Sequence, residues 1–243
     1  MLIGLLLALA ACGGEMTTTG TTTTTSTVSQ ETTKLRVYFL RDGKVQPVSR
    51  EVPETPAVAK VAFGELLGGL STANHELGLT TAMPDAINGW SVALATDGVL
   101  KLQANGLLQA ALAQSVYTLT QFPTLKAVEV GGKRYTRADF EDYTPQILVE
   151  SPLPFESLSS PIHATGTANT FEATFQYEVV GPDGKILDKN FVTATSGSGQ
   201  RGTFDFTTKP YEATGDGALV VYELSAKNGA RIHETRIPVH FAK

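Results

Sequence analysis

The hydrophobic period of the sequence changes near residue 140, and this change limits the folds that the chain can adopt. Before that point, two stretches repeat apolar residues every three to four positions, which is the spacing of an amphipathic helix. Beyond residue 146 no helical period remains, and short apolar runs alternate with polar residues as in half-buried strands. The sequence therefore predicts an α+β unit followed by an all-β unit.

The first half carries strand and helix signals in the order β-β-α-β-β-α-β-β. Its first helix is predicted to begin at Thr55 as N-cap, with Pro56 at the first helical position. Its second helix is predicted to be capped by Asn105 and to end before Pro123. The strands are predicted at residues 34–40, 45–52, 90–95, 99–103 and 125–130, with a short last strand after Gly131-Gly132. This order predicts a sheet with its helices packed on one side.

The second half carries seven strand signals and follows a predicted linker at residues 137–146. The strands are predicted at residues 147–150, 161–166, 172–180, 185–194, 202–207, 218–226 and 231–241. Turn signals separate several of them, at residues 182–184 (PDG), 215–217 (GDG) and 228–229 (NG). Seven strands in roughly 95 residues predict an immunoglobulin-like sandwich. It differs from an antibody domain because it has no disulfide pair and because Trp90 lies in the other half.

The chain begins with an apolar run, MLIGLLLALAACGG, that ends at its only cysteine. The run has about half of the ~20 residues that a membrane-spanning helix needs, so it is typical of a signal peptide. The segment ending in Cys12, Leu-Ala-Ala-Cys, resembles the bacterial lipoprotein box, although no Lys or Arg precedes the apolar run. This resemblance implies cleavage of residues 1–11 and acylation of Cys12 with fatty chains such as palmitate, which would anchor the protein to a membrane.

A threonine tract follows the cysteine. Residues 17–27, TTTGTTTTTST, hold nine threonines and offer no apolar area whose burial could offset the entropy of ordering. Residues 12–33 are therefore predicted to be a tether between the anchor and the folded part. The formal net charge of −5 argues against nucleic acid as a partner, since nucleic-acid binding requires a basic surface.

The segment SGSGQRGTFDF contains G-x-G-x-x-G, formed by Gly197, Gly199 and Gly202. A dinucleotide-binding turn with this pattern must open a helix. Residues 203–207 instead alternate polar and apolar side chains, which predicts a strand. The segment is therefore predicted to be an exposed hairpin loop without a cofactor, in which Arg201 is the charged contact available to a partner.

The four histidines do not form a metal-binding motif. His75 lies beside an acid in a predicted loop, and His163 stands alone. His233 and His240 share a strand at an odd spacing, which places them on opposite faces unless a bulge at Pro238 changes the phase. The sequence predicts no metal site.

No catalytic group is predicted either. The adjacent carboxylates Glu141 and Asp142 lie in the predicted linker and are interpreted as a solvated charge patch. The serines fall in no G-x-S-x-G elbow, and no nucleophile has a base at motif spacing. The expected protein is not an enzyme.

Aromatic side chains of the second half are predicted to be mostly core. The residues assigned to the core alternate along predicted strands and are Phe171, Phe175, Tyr177, Phe204 and Phe206. Phe155 and Tyr211 lie in loops and are the better candidates for surface contact. Aromatic rings on an exposed strand face would favour glycan binding, whereas a fully buried set would count against it.

The first half resembles the GerMN domain, a family named for a sporulation and germination protein. The resemblance rests on VYFLRDGKVQPVSREVP, TPAVAKVAFGELLGG, GLTTAMP and QSVYTLTQFPTLKAVEVGGK, and it covers residues 34–136. The stretch LLGGL departs from the family, which usually has Gly-Pro there. The resemblance implies a non-catalytic module of bacterial envelope lipoproteins, and some relatives pack side by side into rings.

The second half resembles the bacterial immunoglobulin-like domain that accompanies GerMN in spore-germination-type proteins. The resemblance rests on ILVESPLPFESLSSPIHATGTANTFEATFQYEVVGPDGKIL, and it places this domain at residues 147–243. Together the features predict a lipid-anchored protein on the outer side of the cytoplasmic membrane, or in the periplasm of a two-membrane envelope. It would bind an envelope protein or wall polymer and could self-associate as a sporulation or germination scaffold. The alternative is a wall-glycan-binding module or an accessory subunit of a wall hydrolase.

Overall fold

In the computed structural model, which describes residues 31–94 and 96–243, the first half begins with an antiparallel hairpin. Strands β1 (Thr32–Arg41) and β2 (Lys44–Pro53) pair along their whole length. The turn residues Asp42 and Gly43 both have positive φ, 50° and 74°, which is the backbone of a tight hairpin turn. The Asp-Gly signal and both strands are as predicted.

Three α-helices occur in the described residues: α1 (Val58–Leu67), α2 (Thr72–Glu76) and α3 (Gln109–Leu119). The helix α1 begins two residues after Pro56, and the Thr55 hydroxyl accepts a hydrogen bond from the Ala57 amide at 3.1 Å. The prediction of Asn105 as an N-cap is wrong, because α3 starts four residues later with Leu108 at its N-cap position. Asn105 instead precedes Gly106 in the bend that leads into the helix. The short helix α2 was not predicted.

The remaining strands of the first half form a second sheet. They are β3 (Ser91–Leu94), β4 (Val99–Gln103), β5 (Ala127–Val130) and β6 (Lys133–Tyr135), in the spatial order β3-β4-β5-β6. Strands β4 and β5 are parallel, because the crossover through α3 returns the chain to the end of the sheet at which β4 began. The strands are thus divided between a hairpin and a four-stranded sheet, and do not make the single sheet that was expected. The helices α1 and α3 pack on the hairpin in one apolar core.

The second half is a sandwich of two sheets. Its strands are β7 (Ile147–Ser151), β8 (Ser157–Leu158), β9 (His163–Ala168), β10 (Thr174–Val180), β11 (Ile186–Thr193), β12 (Gly202–Thr207), β13 (Gly215–Leu224) and β14 (Arg231–Phe241). One sheet has the order β11-β10-β13-β14-β8 and the other β12-β9-β7. All seven predicted strands are present, and β8 is additional. Residues 215–217 were predicted as a turn, but they lie inside β13 because Gly215 already pairs with Phe241.

The core of the sandwich lies between these two sheets, where Phe175 and Phe204 meet edge to face with their ring centroids 4.9 Å apart. The fold class is therefore as predicted, an α+β unit followed by an immunoglobulin-like sandwich. Among the residues that the structure describes, no helix is long and apolar enough to cross a membrane. The lipoprotein box, Cys12 and the threonine tract lie outside the described residues.

The predicted linker is a structured part of the first core. It forms two short 3-10 turns, Arg137–Tyr143, that meet at Phe140 and start with a reciprocal capping box between Thr136 and Asp139. Phe140 is 1% exposed, and its ring packs between those of Tyr135 and Tyr143. The two halves are therefore joined by a packed segment.

Candidate functional site at the junction of the two halves

A buried polar network around Glu150 joins the two halves. The Glu150 carboxylate lies near the end of β7 and is 2.8 Å from Nη1 of Arg137. The hydroxyl of Tyr38, on β1, donates a hydrogen bond to the same oxygen. The Arg137 guanidinium also donates to the Thr120 hydroxyl at 2.9 Å and lies 4.7 Å from the ring centroid of Tyr117. One carboxylate of the sandwich is thus held by two elements of the first half, the strand β1 and the 3-10 segment.

The electrostatics of this network favour the charged pair. Burial by itself would raise the pKa of Glu150, but the charge of Arg137 and the hydrogen bonds from Tyr38 and Arg137 outweigh it and lower that pKa. Burial, assisted by the neighbouring Glu150 charge, raises the pKa of Tyr38. At neutral pH Glu150 is therefore ionised and Tyr38 is a neutral donor, as the hydrogen bond requires.

A second ion pair connects the 3-10 segment to the loop after β11. Arg201 Nε and Nη2 lie 2.8 and 2.9 Å from the two carboxylate oxygens of Glu141, which is bidentate geometry. Asn169 donates to the same carboxylate at 2.8 Å, and Arg201 also donates to the Pro145 carbonyl. The hydrogen bonds from Arg201 lower the pKa of Glu141 despite its partial burial.

These contacts overturn two expectations. Glu141 is a structural ion-pair partner of the junction and does not belong to a solvated charge patch. Arg201 is 15% exposed at its side chain and is bound within the chain, so it is not the partner contact that the sequence suggested.

The glycines of the G-x-G-x-x-G segment serve the packing of the loop between β11 and β12. A Cβ on Gly197 would collide with the backbone of Ala173, and one on Gly202 with the backbone of Ser196. Gly199 has a φ of 103°, a conformation that favours glycine. Strand β12 follows the loop, as predicted, so the pattern does not open a helix. The prediction of a hairpin is wrong, because β11 and β12 lie in different sheets and the loop crosses between them.

A polar cleft of about 450 Å³ lies beside the Glu141–Arg201 pair. Its walls come from the β1–β2 turn, the 3-10 segment and the start of β14, and they include Arg41, Asp42, Lys44, Asp142, His233 and Glu234. Lys44 lies in the cleft wall, and its Nζ donates a hydrogen bond to the Asp142 carbonyl oxygen at 2.6 Å. The cleft carries both signs of charge, and of its contacts the Glu141–Arg201 pair joins the two halves while the Lys44–Asp142 hydrogen bond lies within the first half.

The histidines lie in separate places in the fold. Three of them each lie beside one carboxylate: His163 with Asp205 at 2.7 Å, His233 with Glu223 at 2.9 Å, and His240 with Asp216 at 2.8 Å. In residues 31–94 and 96–243, no three His, Cys, Asp or Glu side chains form a group that could hold a metal ion.

The phase of β14 changes at a different place from the one considered in the sequence. The bulge lies at His233, whose φ is 53°, and not at Pro238, which pairs regularly with Ala218. His75 lies in α2, and not in the loop that was expected.

The aromatic side chains of the second half divide differently from the expectation. Phe175, Tyr177 and Phe204 are buried and Phe206 packs against them, as predicted. Phe171 is exposed in a 3-10 turn before β10 and is not part of the core.

The two loop candidates have opposite outcomes. Phe155 is 52% exposed, as predicted. Tyr211 is wrong as a surface candidate, because it packs against Phe241 and burial raises its pKa to about 12. A second exposed ring that the sequence did not predict, besides Phe171, is Phe191 on β11, which is 62% exposed.

An α+β unit joined to an immunoglobulin-like sandwich by a buried polar junction defines a two-domain, mostly β class of protein. The family model described as "Sporulation and spore germination" matches residues 36–135. The family model described as "Immunoglobulin-like domain of bacterial spore germination" matches residues 146–230. The chain therefore carries a germination-type domain followed by its immunoglobulin-like companion, which confirms both domain resemblances.

Among solved structures, the chain is similar to the one described as tandem GerMN domains of the sporulation protein GerM from Bacillus subtilis. The identity is 14% and the TM-score 0.36, and the match covers 74% of this chain. It spans 62% of the length of that structure. A search of curated proteins found no match.

Proposed function

We propose that this protein is a non-enzymatic, lipid-anchored envelope protein that presents its two domains as one rigid body in sporulation or spore germination. The single observation that carries the proposal is the buried contact of Glu150 with Arg137 and Tyr38, which fixes the domains to each other. The ion pair is largely removed from solvent, and a desolvated pair is stable only in a geometry that satisfies it, which favours one arrangement of the domains. A fixed pair of domains suits a scaffold or adaptor that must hold partners at a set distance.

The anchor is part of the same proposal. Attachment by acyl chains on Cys12 would raise the local concentration of the domains at the membrane, so that weak contacts with a wall polymer or envelope protein would suffice. We place the protein on the outer side of the cytoplasmic membrane, or in the periplasm where there are two membranes.

Replacing Cys12 by serine tests the anchor. A serine hydroxyl cannot form the thioether, so Cys12→Ser is expected to move the protein from the membrane fraction to the soluble fraction. The measurement is an immunoblot of both fractions together with metabolic labelling by palmitate. Thr22→Ser, in the threonine tract, is the matched control and should stay membrane-bound. Membrane retention of unlabelled Cys12→Ser would refute the lipoprotein assignment.

Self-association of the first domain is tested by light scattering of residues 28–243 over a wide concentration range. We expect a solution mass above that of one chain, because the resemblance to GerMN domains includes relatives that pack side by side. A single-chain mass at every concentration would contradict self-association and would leave a different envelope component as the partner.

A second candidate function is recognition of wall glycan by the sandwich, as a binding module or as an accessory subunit of a wall hydrolase. The exposed ring of Phe191 on a strand face favours it. Buried aromatic residues account for the sandwich core, so this ring is not needed there.

A further inference from the structure

The outward face of the five-stranded sheet carries two aromatic side chains, the exposed Phe191 and the buried Tyr222. Gln176 on β10 is in register with Phe191 on β11 and with Tyr222 on β13. The residues that alternate with these, such as Phe175 and Val221, face the sandwich core. Because successive strand residues point to opposite faces, Phe191, Gln176 and Tyr222 lie together on the outer face.

Polar groups surround the exposed ring of Phe191. Lys189 and Thr193 are two residues away on the same strand and the same face, at about 7 Å. Thr174 is in register with Thr193, and Gln176 lies beside the ring on the neighbouring strand. An aromatic ring bordered by an ammonium group, hydroxyls and an amide suits a sugar, whose C–H face packs on the ring while its hydroxyls bond to the border.

The same face carries cations and carboxylates, and two of its cations stand apart from the carboxylates. A second row runs in register from Lys189 through Glu178 and Val220 to Arg236. Among the described residues, neither Lys189 nor Arg236 has an ion pair. Three strand spacings separate them, which is about 14 Å. Two unpaired cations at this spacing fit a ligand with repeated negative charges.

One further cation is held in place on this face. Arg231 donates to both oxygens of Glu178, at 2.5 and 3.1 Å, and lies 4.0 Å from the ring centroid of Tyr222. The carboxylates of Glu178 and, at 3.7 Å, Glu234 thus offset Arg231. Lys189 and Arg236 are the cations of this face without an ion pair among the described residues. The exposed apolar side chains on this face are Phe191, Ile186 and Leu224, and a membrane-binding face would be more continuously apolar.

We propose that this face, which we call the Phe191 platform, binds a carboxylate-bearing glycan of the cell wall. One sugar packs on the Phe191 ring, and carboxylates along the glycan reach Lys189 and Arg236. The inference rests on the second candidate function and assigns it a ligand class and a surface.

The test is co-sedimentation of residues 31–243, which form one compact unit, with peptidoglycan freed of protein and teichoic acid. Phe191→Ala is expected to weaken binding about tenfold, the equivalent of one lost aromatic contact. The double variant Lys189→Gln and Arg236→Gln should weaken binding and also reduce its salt dependence. Phe191, Lys189 and Arg236 are all exposed, so the thermal unfolding of these variants should match that of the parent protein.

Matched controls lie in the first domain. Leu108→Ala removes an exposed apolar side chain and Lys126→Gln an exposed cation, and both should bind like the parent protein. If Phe191→Ala binds peptidoglycan as tightly as the parent protein, the Phe191 platform is not the binding surface, although glycan recognition by the protein still stands. Absence of binding to peptidoglycan, or binding only to phosphatidylglycerol vesicles or to teichoic-acid-bearing walls, would overturn both. Cys12→Ser tests the membrane anchor separately. Arg137→Met, which removes the cation beside Glu150, tests the fixed junction separately.

Discussion

Replacing Arg137 by methionine is expected to lower the free energy of unfolding by about 3 kcal/mol. The substitution leaves the Glu150 carboxylate, whose side chain is 13% exposed, without its cation in a desolvated site. It also removes the guanidinium that lies over the Tyr117 ring and donates to the Thr120 hydroxyl. The measurement is urea unfolding of residues 31–243 at pH 7, followed by circular dichroism.

Two further variants make this result specific. Arg134→Met removes an exposed arginine whose pair with Glu129 is 3.8 Å long, and it should cost less than about 0.5 kcal/mol. Adding Glu150→Leu to Arg137→Met should recover part of the loss, because the uncompensated buried charge is then gone. If Arg137→Met behaves like Arg134→Met, the network does not hold the two domains together.

The loss of stability in Arg137→Met should also depend on pH, and the direction of this dependence is set by the pKa of Glu150. In the parent protein the pKa of Glu150 is lowered, so its contribution to stability is present above the unfolded pKa of about 4.3 and is lost as the pH falls through the folded value. Without Arg137 the largest effect that lowers this pKa is gone while burial still raises it, so we expect the folded pKa of Glu150 to be higher in the variant than in the parent protein. The variant then gains relative stability on protonation. The difference between the two proteins should therefore be largest at neutral pH and should shrink towards acid.

Local signals in the sequence were sufficient to predict most elements of this fold. The Asp42-Gly43 turn and the strands beside it depend on neighbouring residues, and alternation alone located all seven predicted strands of the sandwich. The separation of the first-half strands into two sheets was not predictable in this way. It depends on which distant strands pair, as β4 and β5 do across α3.

The junction was hidden from the sequence for a similar reason. Glu150 and Tyr38 are 112 residues apart, and Arg201 and Glu141 are 60 apart. Each of these residues, taken alone, belongs to a polar residue type that is usually exposed to solvent. Only the fold brings the Tyr38 hydroxyl to Glu150 and Arg201 to Glu141.

Phe191 shows a related limit. Strand β11 has apolar residues on both faces, with Val192 turned to the core and Phe191 turned outward. The alternation predicts a strand but does not say which face is inside, because that choice is made by the opposite sheet. The ring could be assigned to the surface only after the register of the sheet was known.

Phe140→Ala is expected to cost about 4 kcal/mol, because the ring is fully buried between Tyr135 and Tyr143 and its removal leaves a cavity. Such a loss would establish that residues 137–146 are part of the first core, although their polar sequence resembles a linker. The measurement is again urea unfolding, with limited proteolysis to detect cleavage in this segment.

Phe155→Ala is the matched control, since it removes the same side chain from an exposed loop and should change stability by less than about 0.5 kcal/mol. Cleavage in residues 137–146 should become faster in Phe140→Ala and stay unchanged in Phe155→Ala. Equal and small losses in the two variants would mean that the segment is a flexible connection. The two domains would then move independently, and the rigid presentation proposed for this protein would fail with them.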